Sequence, residues 1–219
     1  MRIGVTDVAF SYESGGQILY SGLSVEIRAG QMMAVQGPSG SGKSTLLDLL
    51  GMLRLPTSGA VRIYEDEKLV AECTDNKRAL PPDPLFAWIL QNNAVLAGRS
   101  ALDNTALAAL VNGAPRSVAR KMALAELDRF DLGHRTSSKV EQLSGGEIQR
   151  VTIARSMLSP ATILLADEPT GQLDASNTRS VVQALRRAAE AGKIVVVATH
   201  DPIVVDACDS AIDLGGLRT

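Results

Sequence analysis

The sequence has no long hydrophobic run and only two cysteines among its 219 residues. A membrane-spanning helix needs about 20 consecutive apolar residues, and the longest runs, such as Ile194–Ala198, are far shorter. Cys73 and Cys208 lie far apart without metal-ligand spacing, so we expect reduced thiols in a cytosolic protein. If the protein acts at a membrane, we expect another chain to supply the membrane span.

The sequence also lacks an excess of basic residues. Its 22 lysines and arginines are outnumbered by 24 aspartates and glutamates, which gives a formal net charge of −2. This balance argues against a nucleic-acid partner held by bulk electrostatics. The hydrophobic content of 45% suits a globular fold with a substantial core. We therefore expect a globular domain and no nucleic-acid partner.

A glycine-rich stretch at Gly37–Thr45 follows an apolar, strand-like run at Met32–Gln36 and precedes a helix-like run at Thr45–Leu50. Between a strand and a helix, such a loop turns backbone N–H groups toward a polyphosphate, and the helix dipole adds to the attraction. Lys43 is placed to reach the β- and γ-phosphates, and the Ser44 hydroxyl to bind Mg²⁺. The expected nucleotide-binding residues of this cradle are Gly37, Ser39, Gly40, Gly42, Lys43, Ser44 and Thr45.

The hydrophobic pattern predicts an α/β fold. Alternation at Val5–Phe10 and Leu23–Ile27 predicts antiparallel strands. Helical spacing at 100–110, 117–132 and 145–158, without an intervening strand, indicates a helical insert. Strands and helices then alternate to the end of the chain, which is typical of a parallel sheet with helices on both faces.

The stretch 56–90 is less regular. Pro56–Gly59 is predicted to be a turn, and Glu65–Pro84 a hairpin and loop. Pro84–Leu90 is apolar on both faces, which favours a buried strand. Phe86 and Trp88 in this run could contact a partner, but the buried strand is the preferred interpretation.

Two carboxylates, Asp167 and Glu168, follow the apolar run Ile163–Ala166. Ligands of open α/β sheets bind at the carboxyl ends of the strands. Asp167 is then placed to hold Mg²⁺ opposite Ser44, and Glu168 to polarise or deprotonate an attacking water. The alternative is a solvated acidic turn before Pro169. The presence of the phosphate cradle favours the functional interpretation.

A third glycine-containing motif lies at Leu143–Glu147. Ser144 and Glu147 fit a helix capping box. Gly145 and Gly146 exceed what a cap needs, and would let a second set of N–H groups approach a phosphate. Two phosphate-approach sites in one chain suggest that two chains share each nucleotide.

Three further residues allow two interpretations. His200 follows a predicted core strand and could hydrogen-bond a γ-phosphate and the water beside it, although a lone histidine there more often begins a helix. Tyr12 could stack on an adenine ring, but composition alone favours an aromatic at a strand end. Gln91 has no periodicity that distinguishes it from an ordinary loop residue.

The order of these motifs resembles the ATP-binding cassette (ABC) family over essentially the full chain. Gly37–Thr45 is similar to Walker A, Leu143–Glu147 to the signature motif, Ile163–Glu168 to Walker B, and Leu173-Asp174 to the end of the D-loop. By this resemblance, single positions match the family's adenine-stacking aromatic, Q-loop glutamine and switch histidine. These positions are Tyr12, Gln91 and His200.

The resemblance implies a P-loop NTPase core with a mostly parallel sheet, an N-terminal antiparallel β subdomain and an inserted helical subdomain. We expect a single domain over residues 1–219, with the core and β subdomain at about 1–91 and 160–219 and the helical subdomain at about 92–159. It also implies ATP and Mg²⁺ as cofactors. The working unit would be a head-to-tail homodimer or cassette pair, with MgATP between Walker A of one subunit and the signature of the other.

The resemblance further assigns individual roles. Glu168 would be the catalytic base, His200 would hold water and γ-phosphate, and Lys43 would complete the catalytic set with Gln91. Gln91 would also join Ser44 and Asp167 at the metal and report the nucleotide state to a partner. The residues expected to act across the dimer interface are Ser144, Gly145, Gly146 and Asp174.

The signature with Gln149-Arg150, and the run Ala166–Asp174, are similar to the branch that serves lipoprotein release, macrolide export and cell-division permeases. Ile148 and Gln172 depart from that branch's commonest residues, Gln and Asn. The resulting prediction is an ATPase subunit that drives a separately encoded integral membrane permease from the inner face of the cell membrane, in an export or mechanotransmission-type system. The alternative is a soluble ABC ATPase acting on ribosomes, nucleic acid or cofactor assembly.

Overall fold

Two five-stranded sheets form the framework of the computed structural model, which describes residues 1–12, 18–81 and 84–216. The elements in chain order are β1 (Arg2–Ser11), β2 (Ile18–Arg28), β3 (Met32–Gln36), α1 (Lys43–Leu50), β4 (Ser58–Glu65), β5 (Lys68–Thr74), β6 (Arg78–Ala79), β7 (Phe86–Ile89), α2 (Ala101–Val111), α3 (Arg116–Arg129), α4 (Gly145–Met157), β8 (Ile163–Asp167), α5 (Ala175–Glu190), β9 (Ile194–Ala198), α6 (Pro202–Asp206) and β10 (Ser210–Asp213). One sheet is antiparallel, in the order β2-β1-β4-β5-β6, and the other is parallel, in the order β10-β3-β9-β8-β7.

The central strands β3, β9 and β8 of the parallel sheet are buried on both faces and are correspondingly apolar, whereas the edge strand β10 is largely exposed. All five residues of β9 are buried, with Val195 and Val197 in one hydrophobic cluster and Ile194 and Val196 in the other. The first cluster includes side chains of α2 to α5, and the second includes those of α1 and the antiparallel sheet. Because a strand covered on both sides has no polar face, the pattern reads as a continuous apolar run. This confirms the predicted α/β fold.

Helices α2, α3 and α4 lie between β7 and β8 in the chain, as the helical spacing predicted. Small residues let α2 and α3 approach closely, with Ala106, Ala109, Ala119 and Ala123 buried in one cluster. The division of the chain at about residues 92 and 159 stays a prediction. Within the described ranges, no helix has the length and apolar character needed to cross a membrane.

The stretch 56–90 differs in part from the prediction. The predicted turn at 56–59 is too long, because Ser58 and Gly59 begin β4. A Cβ on Gly59 would lie 2.3 Å from the Asp7 carbonyl oxygen, so this glycine permits the close approach of β1 rather than a turn. The predicted hairpin contains β5 and β6, and residues 82 and 83 of the predicted loop lie outside the described residues.

Phe86 and Trp88 are half-buried residues of β7 that pack on the cluster around α1. The Trp88 ring fills the space beside Gly51, the residue after α1. A Cβ on Gly51 would lie 2.2 Å from Cζ2 of Trp88 and 2.8 Å from Cδ1 of Leu165. Packing against the protein's own core therefore accounts for both aromatic residues, in agreement with the preferred interpretation.

Candidate functional site

The glycine-rich loop connects β3 to α1 at the carboxyl end of the parallel sheet. Gly37 and Gly42 have φ angles of 149° and 96°, which a residue with a Cβ rarely adopts. A Cβ on Gly42 would also lie 2.4 Å from Cδ2 of Leu19 on β2. The loop thus holds an unusual backbone path directly before the N-terminus of an eight-residue helix. Such a path presents N–H groups to an anion.

The Lys43 ammonium folds back over this loop. Its Nζ donates hydrogen bonds to the carbonyl oxygens of Gly37 at 3.0 Å and Pro38 at 3.4 Å. It also lies 3.6 Å from Oε1 of Glu168, and both side chains are largely buried. The two carbonyls are neutral acceptors that phosphate oxygens of a nucleotide could replace. Lys43 is therefore poised between the predicted cradle and the predicted catalytic carboxylate.

Asp167 ends β8 beside the cradle. Its Oδ1 atom is buried and has no hydrogen-bond partner among the residues described. Burial raises the pKa of Asp167, a hydrogen bond from Ser44 opposes that rise, and the neighbouring Glu168 carboxylate adds to it. A buried carboxylate oxygen without a donor is suited to a cation. This unmet need, next to a hydroxyl, fits the oxygen ligands that Mg²⁺ prefers.

Glu168 follows Asp167 in the left-handed backbone region, with a φ angle of 46°. For a glutamate this conformation costs on the order of 1–3 kcal/mol, and such residues concentrate at functional sites. Nδ1 of His200 lies 3.0 Å from each carboxylate oxygen of Glu168, while the histidine side chain is 74% exposed. The two predicted residues are thus in direct contact, with the histidine open to solvent.

Tyr12 lies beyond the end of β1, over the start of α1. Its hydroxyl is within hydrogen-bonding distance of the Thr45 hydroxyl, and its ring contacts Phe10 edge-on with centroids 5.1 Å apart. The Arg54 guanidinium lies 5.5 Å from the ring centroid, held by a 2.8 Å hydrogen bond to Asp48. The residue as a whole remains 62% exposed. Tyr12 therefore combines a strand-end position with an aromatic face beside the cradle.

These residues surround a cleft of about 450 Å³. It is lined by Tyr12, Leu19, Ser39, Gly40, Gly42, Lys43, Ser44, Thr45, Gln91 and Glu168. The structure thus brings Gln91 to the same cleft as the cradle, although no sequence periodicity distinguished it. Leu19 and Arg54 were missed by the sequence analysis, because neither lies in a motif and both reach the site through folding of the antiparallel sheet and the segment after α1.

The predicted cross-subunit residues Ser144, Gly145, Gly146 and Asp174 are not in that lining set of described residues. Ser144 caps α4, where its Oγ accepts from the Glu147 N–H at 3.2 Å and its own N–H donates to Oε2 of Glu147 at 2.8 Å. This backbone hydrogen bond is the main cause that lowers the pKa of Glu147. Both capping groups therefore have local partners.

Asp174 caps α5 in the same way. Its carboxylate accepts from the Asn177 N–H at 2.9 Å and from the Ser176 hydroxyl at 2.8 Å, and these bonds lower the pKa of Asp174. Gly146 lies close to the loop that precedes α5, because a Cβ on Gly146 would be 3.3 Å from the Gln172 carbonyl oxygen. Gly145 is exposed. A Cβ on Gly145 would lie 2.9 Å from Oε1 of Gln172, the end of a flexible side chain that can move away. Packing therefore explains part of the need for Gly146 and less of the need for Gly145.

Helix α4 is also hydrogen-bonded to the segment after Gln91. Arg155 donates to the Ala94 carbonyl at 2.6 Å, and the Thr152 hydroxyl donates to Oδ1 of Asn93 at 3.4 Å. Asn93 in turn donates to Oε1 of Gln172 at 3.4 Å. The sequence analysis missed these polar residues, since a helical pattern does not show which loop a side chain will contact. Together they connect three predicted motifs within one subunit.

A cluster of three or more His, Cys, Asp or Glu side chains able to hold a metal does not occur in residues 1–12, 18–81 and 84–216. The candidate metal position therefore depends on the Asp167 carboxylate and the Ser44 hydroxyl, completed by groups from a ligand. A binding site that uses two protein ligands and substrate phosphates is typical of Mg²⁺ in phosphoryl-transfer enzymes. It is a different kind of site from a closed structural metal centre.

The sequence of the chain is similar to those of known proteins. The family model described as ABC transporter matches residues 20–171. The chain is 40% identical over 192 residues to the macrolide export ATP-binding/permease protein MacB of Hahella chejuensis (strain KCTC 2396), covering 88% of this chain and 29% of that protein. It is 38% identical over 193 residues to the pyoverdine export ATP-binding/permease protein PvdT of Pseudomonas entomophila (strain L48), with the same coverage of 88% and 29%. The chain thus spans less than a third of the length of these curated relatives.

Two solved structures match nearly the whole chain. The post-hydrolysis dimer of the ATP-binding cassette MJ0796 bound to ADP and Pi superposes with a TM-score of 0.81 at 31% identity, covering 97% of this chain and 95% of that one. The dimeric structure of MJ0796, described as a bacterial ABC transporter cassette, superposes with a TM-score of 0.80 at 32% identity and the same coverage.

Proposed function

The chain belongs to the ABC transporter family, and we propose that it binds MgATP between two cassettes and uses ATP hydrolysis to drive a membrane permease. It is an ABC-type ATPase cassette. The observation that carries the proposal is the cleft where Lys43, Ser44 and Glu168 converge, with Asp167 at its edge. These are the charges and oxygen ligands that an in-line attack on a γ-phosphate requires.

Different residues of this cleft contact the phosphates and the adenine in the proposed complex. The loop from Gly37 to Thr45 holds the phosphates through its N–H groups, and Lys43 exchanges its two carbonyl partners for phosphate oxygens. Tyr12 offers its exposed ring face to the adenine. The proposal is supported by the ring's position against Thr45, which puts base and phosphate contacts on neighbouring residues.

Glu168 is the proposed base. Its Oε1 lies between the Lys43 ammonium and the His200 imidazole, so a water on its remaining side can be oriented and deprotonated. His200 is solvent-exposed and is placed to contact both that water and a γ-phosphate. We assign Asp167, Ser44 and Gln91 to the Mg²⁺ site, on the unpartnered Oδ1 of Asp167 and the exposure of Ser44 and Gln91 to the cleft. Bound Mg²⁺ would neutralise charge on the phosphates.

We assign the signature surface, defined as Ser144, Gly145, Gly146 and Asp174, to the partner cassette's nucleotide. The cleft of one subunit lacks the contacts that these groups would make, and they are exposed or half-buried on their own subunit. The matched cassette MJ0796 is described as a dimer with ADP and Pi. A head-to-tail dimer of this chain, or a pair with a similar cassette, would close each cleft with the partner's α4 N-terminus.

The proposed membrane partner rests on the relatives of the chain. The relatives MacB and PvdT are named as export ATP-binding/permease proteins, which supports an export or mechanotransmission system and a location on the inner face of the membrane. Their names join both functions in one protein, whereas the sequence analysis expects a separate permease chain. The alternative remains a soluble ABC ATPase that acts on ribosomes, nucleic acid or cofactor assembly.

The ATPase part is tested by Glu168→Gln, which keeps the size of the side chain and removes its basicity. We expect steady phosphate release to fall by about 10²- to 10⁴-fold, the usual contribution of a general base, while ATP still binds and a dimer accumulates by size-exclusion chromatography with MgATP. Glu190→Gln, at an exposed position at the end of α5, is the matched control and should hydrolyse ATP normally. Steady hydrolysis by Glu168→Gln would contradict the assigned base.

The membrane part is tested with the same variant. Tagged Glu168→Gln protein with MgATP is used to capture partners from detergent-solubilised membranes of its own organism, and these are identified by mass spectrometry. Recovery of a multi-span protein that raises the ATPase rate of the wild-type chain supports the transporter function. Recovery of ribosomal or other soluble proteins alone favours the alternative.

A further inference from the structure

Gln149 lies on the buried face of α4, one turn after the signature glycines. Its side chain is 2% exposed, and its Nε2 donates a hydrogen bond to the main-chain carbonyl oxygen of Glu168 at 3.3 Å. The same carbonyl accepts from the Gly171 N–H at 3.3 Å. A glutamine of the signature helix therefore contacts the backbone of the proposed catalytic base directly, whereas its own side chain does not reach the cleft.

The backbone at Glu168 needs such contacts. Its φ angle of 46° is rarely adopted by a residue with a side chain, and persists only when the surroundings hold it. Its N–H donates to the Ala198 carbonyl of β9 at 2.9 Å, which fixes one side of the residue. Gln149 and Gly171 fix the other side. The direction of the Glu168 carboxylate, between Lys43 and His200, follows from this clamped main chain.

Stability alone does not explain Gln149. Its Oε1 atom is buried without a hydrogen-bond partner in the part of the chain that the structure describes. A buried amide with an unpaired oxygen is less favourable than an apolar side chain of similar volume. The residue therefore carries a cost to the fold, and the contact it makes in return is the one with Glu168.

We infer that Gln149 is a positioning residue for Glu168, and that it makes the geometry of the hydrolytic base depend on the position of the signature helix α4. The inference rests on the proposed function of Glu168. Gln149 acts through the main-chain carbonyl and contacts neither nucleotide nor water. Its loss should therefore change the rate of the chemical step and leave ATP binding intact.

The test is Gln149→Met in the full chain, which preserves the length of the side chain and removes both the NH₂ donor and the carbonyl acceptor of the amide. Ser156→Ala is the matched control, because it deletes another buried polar group from the same helix. The Ser156 hydroxyl donates to the carbonyl oxygens of Trp88 and Thr152, and not to Glu168. For Gln149→Met we expect kcat to fall by about 10- to 100-fold, the scale of a misplacement of about 1 Å. KM for ATP should stay unchanged, and the thermal midpoint should not fall below that of Ser156→Ala.

A second variant, Gln149→Leu, guards against misfolding of the first. It fills a similar volume, has no donor for the Glu168 carbonyl and adds no titratable group to the buried site, so kcat should fall in the same way. Unchanged kcat in a folded Gln149 variant overturns the inference, and so does a loss of activity that follows a raised KM or a thermal midpoint below that of Ser156→Ala. Failure of the proposed function looks different: there the wild-type chain does not hydrolyse ATP, or Glu168→Gln still does, and both ideas fall together.

Discussion

The cleft and the signature surface of the same subunit treat their polar groups in opposite ways. In the cleft, Asp167 keeps a buried oxygen for which residues 1–12, 18–81 and 84–216 supply no donor, and Glu168 holds a strained backbone. On the signature surface, Ser144 and Asp174 are exposed and satisfied by their own helix ends. The cleft is therefore a binding site formed by folding of one subunit, with polar groups that a ligand would satisfy. The signature surface is already satisfied within its own subunit, and becomes part of a site only when a second cassette binds.

Lys43→Ala should disrupt phosphate binding in the cleft, with the largest effect on ATP affinity of the variants considered. Removing a charged donor to phosphate costs about 1.5–3 kcal/mol, or roughly 10- to 100-fold in ATP affinity. The fold should tolerate the change, because the polar partners of Lys43 in the described part of the chain are loop carbonyls and Glu168. Isothermal titration with ATP, beside urea unfolding, measures both quantities. Unchanged ATP affinity would contradict the assigned phosphate cradle, and the exposed residue Lys68 provides a control as Lys68→Ala.

Two variants of Ser144 distinguish its role as the cap of α4 from its proposed contact with the partner subunit. Ser144→Ala should lower the free energy of unfolding by about 1 kcal/mol through loss of the cap, and leave ATP binding to a single subunit unchanged. Ser144→Asp keeps a capping carboxylate and should retain stability, yet repel the partner's phosphates and prevent the MgATP-dependent dimer. Chemical unfolding and size-exclusion chromatography test the two effects. A Ser144→Asp dimer as strong as wild type would remove this residue from the proposed interface.

Asp167→Asn should give the smallest change in the free energy of unfolding, and of the opposite sign to Ser144→Ala. Because burial raises the pKa of Asp167 in the folded chain, the folded state binds its proton more tightly than the unfolded state. The favourable contribution of the protonated acid is then lost as the pH rises through the raised pKa. The variant should therefore be slightly more stable than wild type at neutral pH and equal to it at acidic pH, while Mg²⁺-dependent hydrolysis is lost. Urea unfolding at both pH values provides the measurement.

The sequence predicts features whose physical cause is local. The proposed function of the loop at Gly37–Thr45 depends on its own backbone, and β9 needs only a run of apolar residues, so both could be predicted without a structure. Tyr12 and Gln91 were not distinguished by pattern, and the resemblance alone identified them. Their importance depends on where the antiparallel sheet and the end of β7 bring them, and no local spacing encodes that.

Contacts that depend on tertiary packing were predicted least well. Gly59 has the sequence context of a turn, but its role is to admit the Asp7 carbonyl of a neighbouring strand. Gln149 follows the helical pattern of α4 like any polar residue, and only the assembled structure shows it buried against Glu168. In both cases the partner is far away in the sequence, so the interaction has no signature in a short window.

The contact between Trp88 and Gly51 has a mechanical consequence. The indole and Leu165 of β8 together fill the space beside Gly51 at the end of α1, and leave no room even for a methyl group there. Trp88 lies on β7, three residues before Gln91, and α1 begins at the cradle. The segment that follows β7 is therefore joined to the helix of the phosphate loop by a tightly packed contact. Because a close-packed interior has little free volume, we expect a displacement of β7 to be accompanied by a displacement of α1.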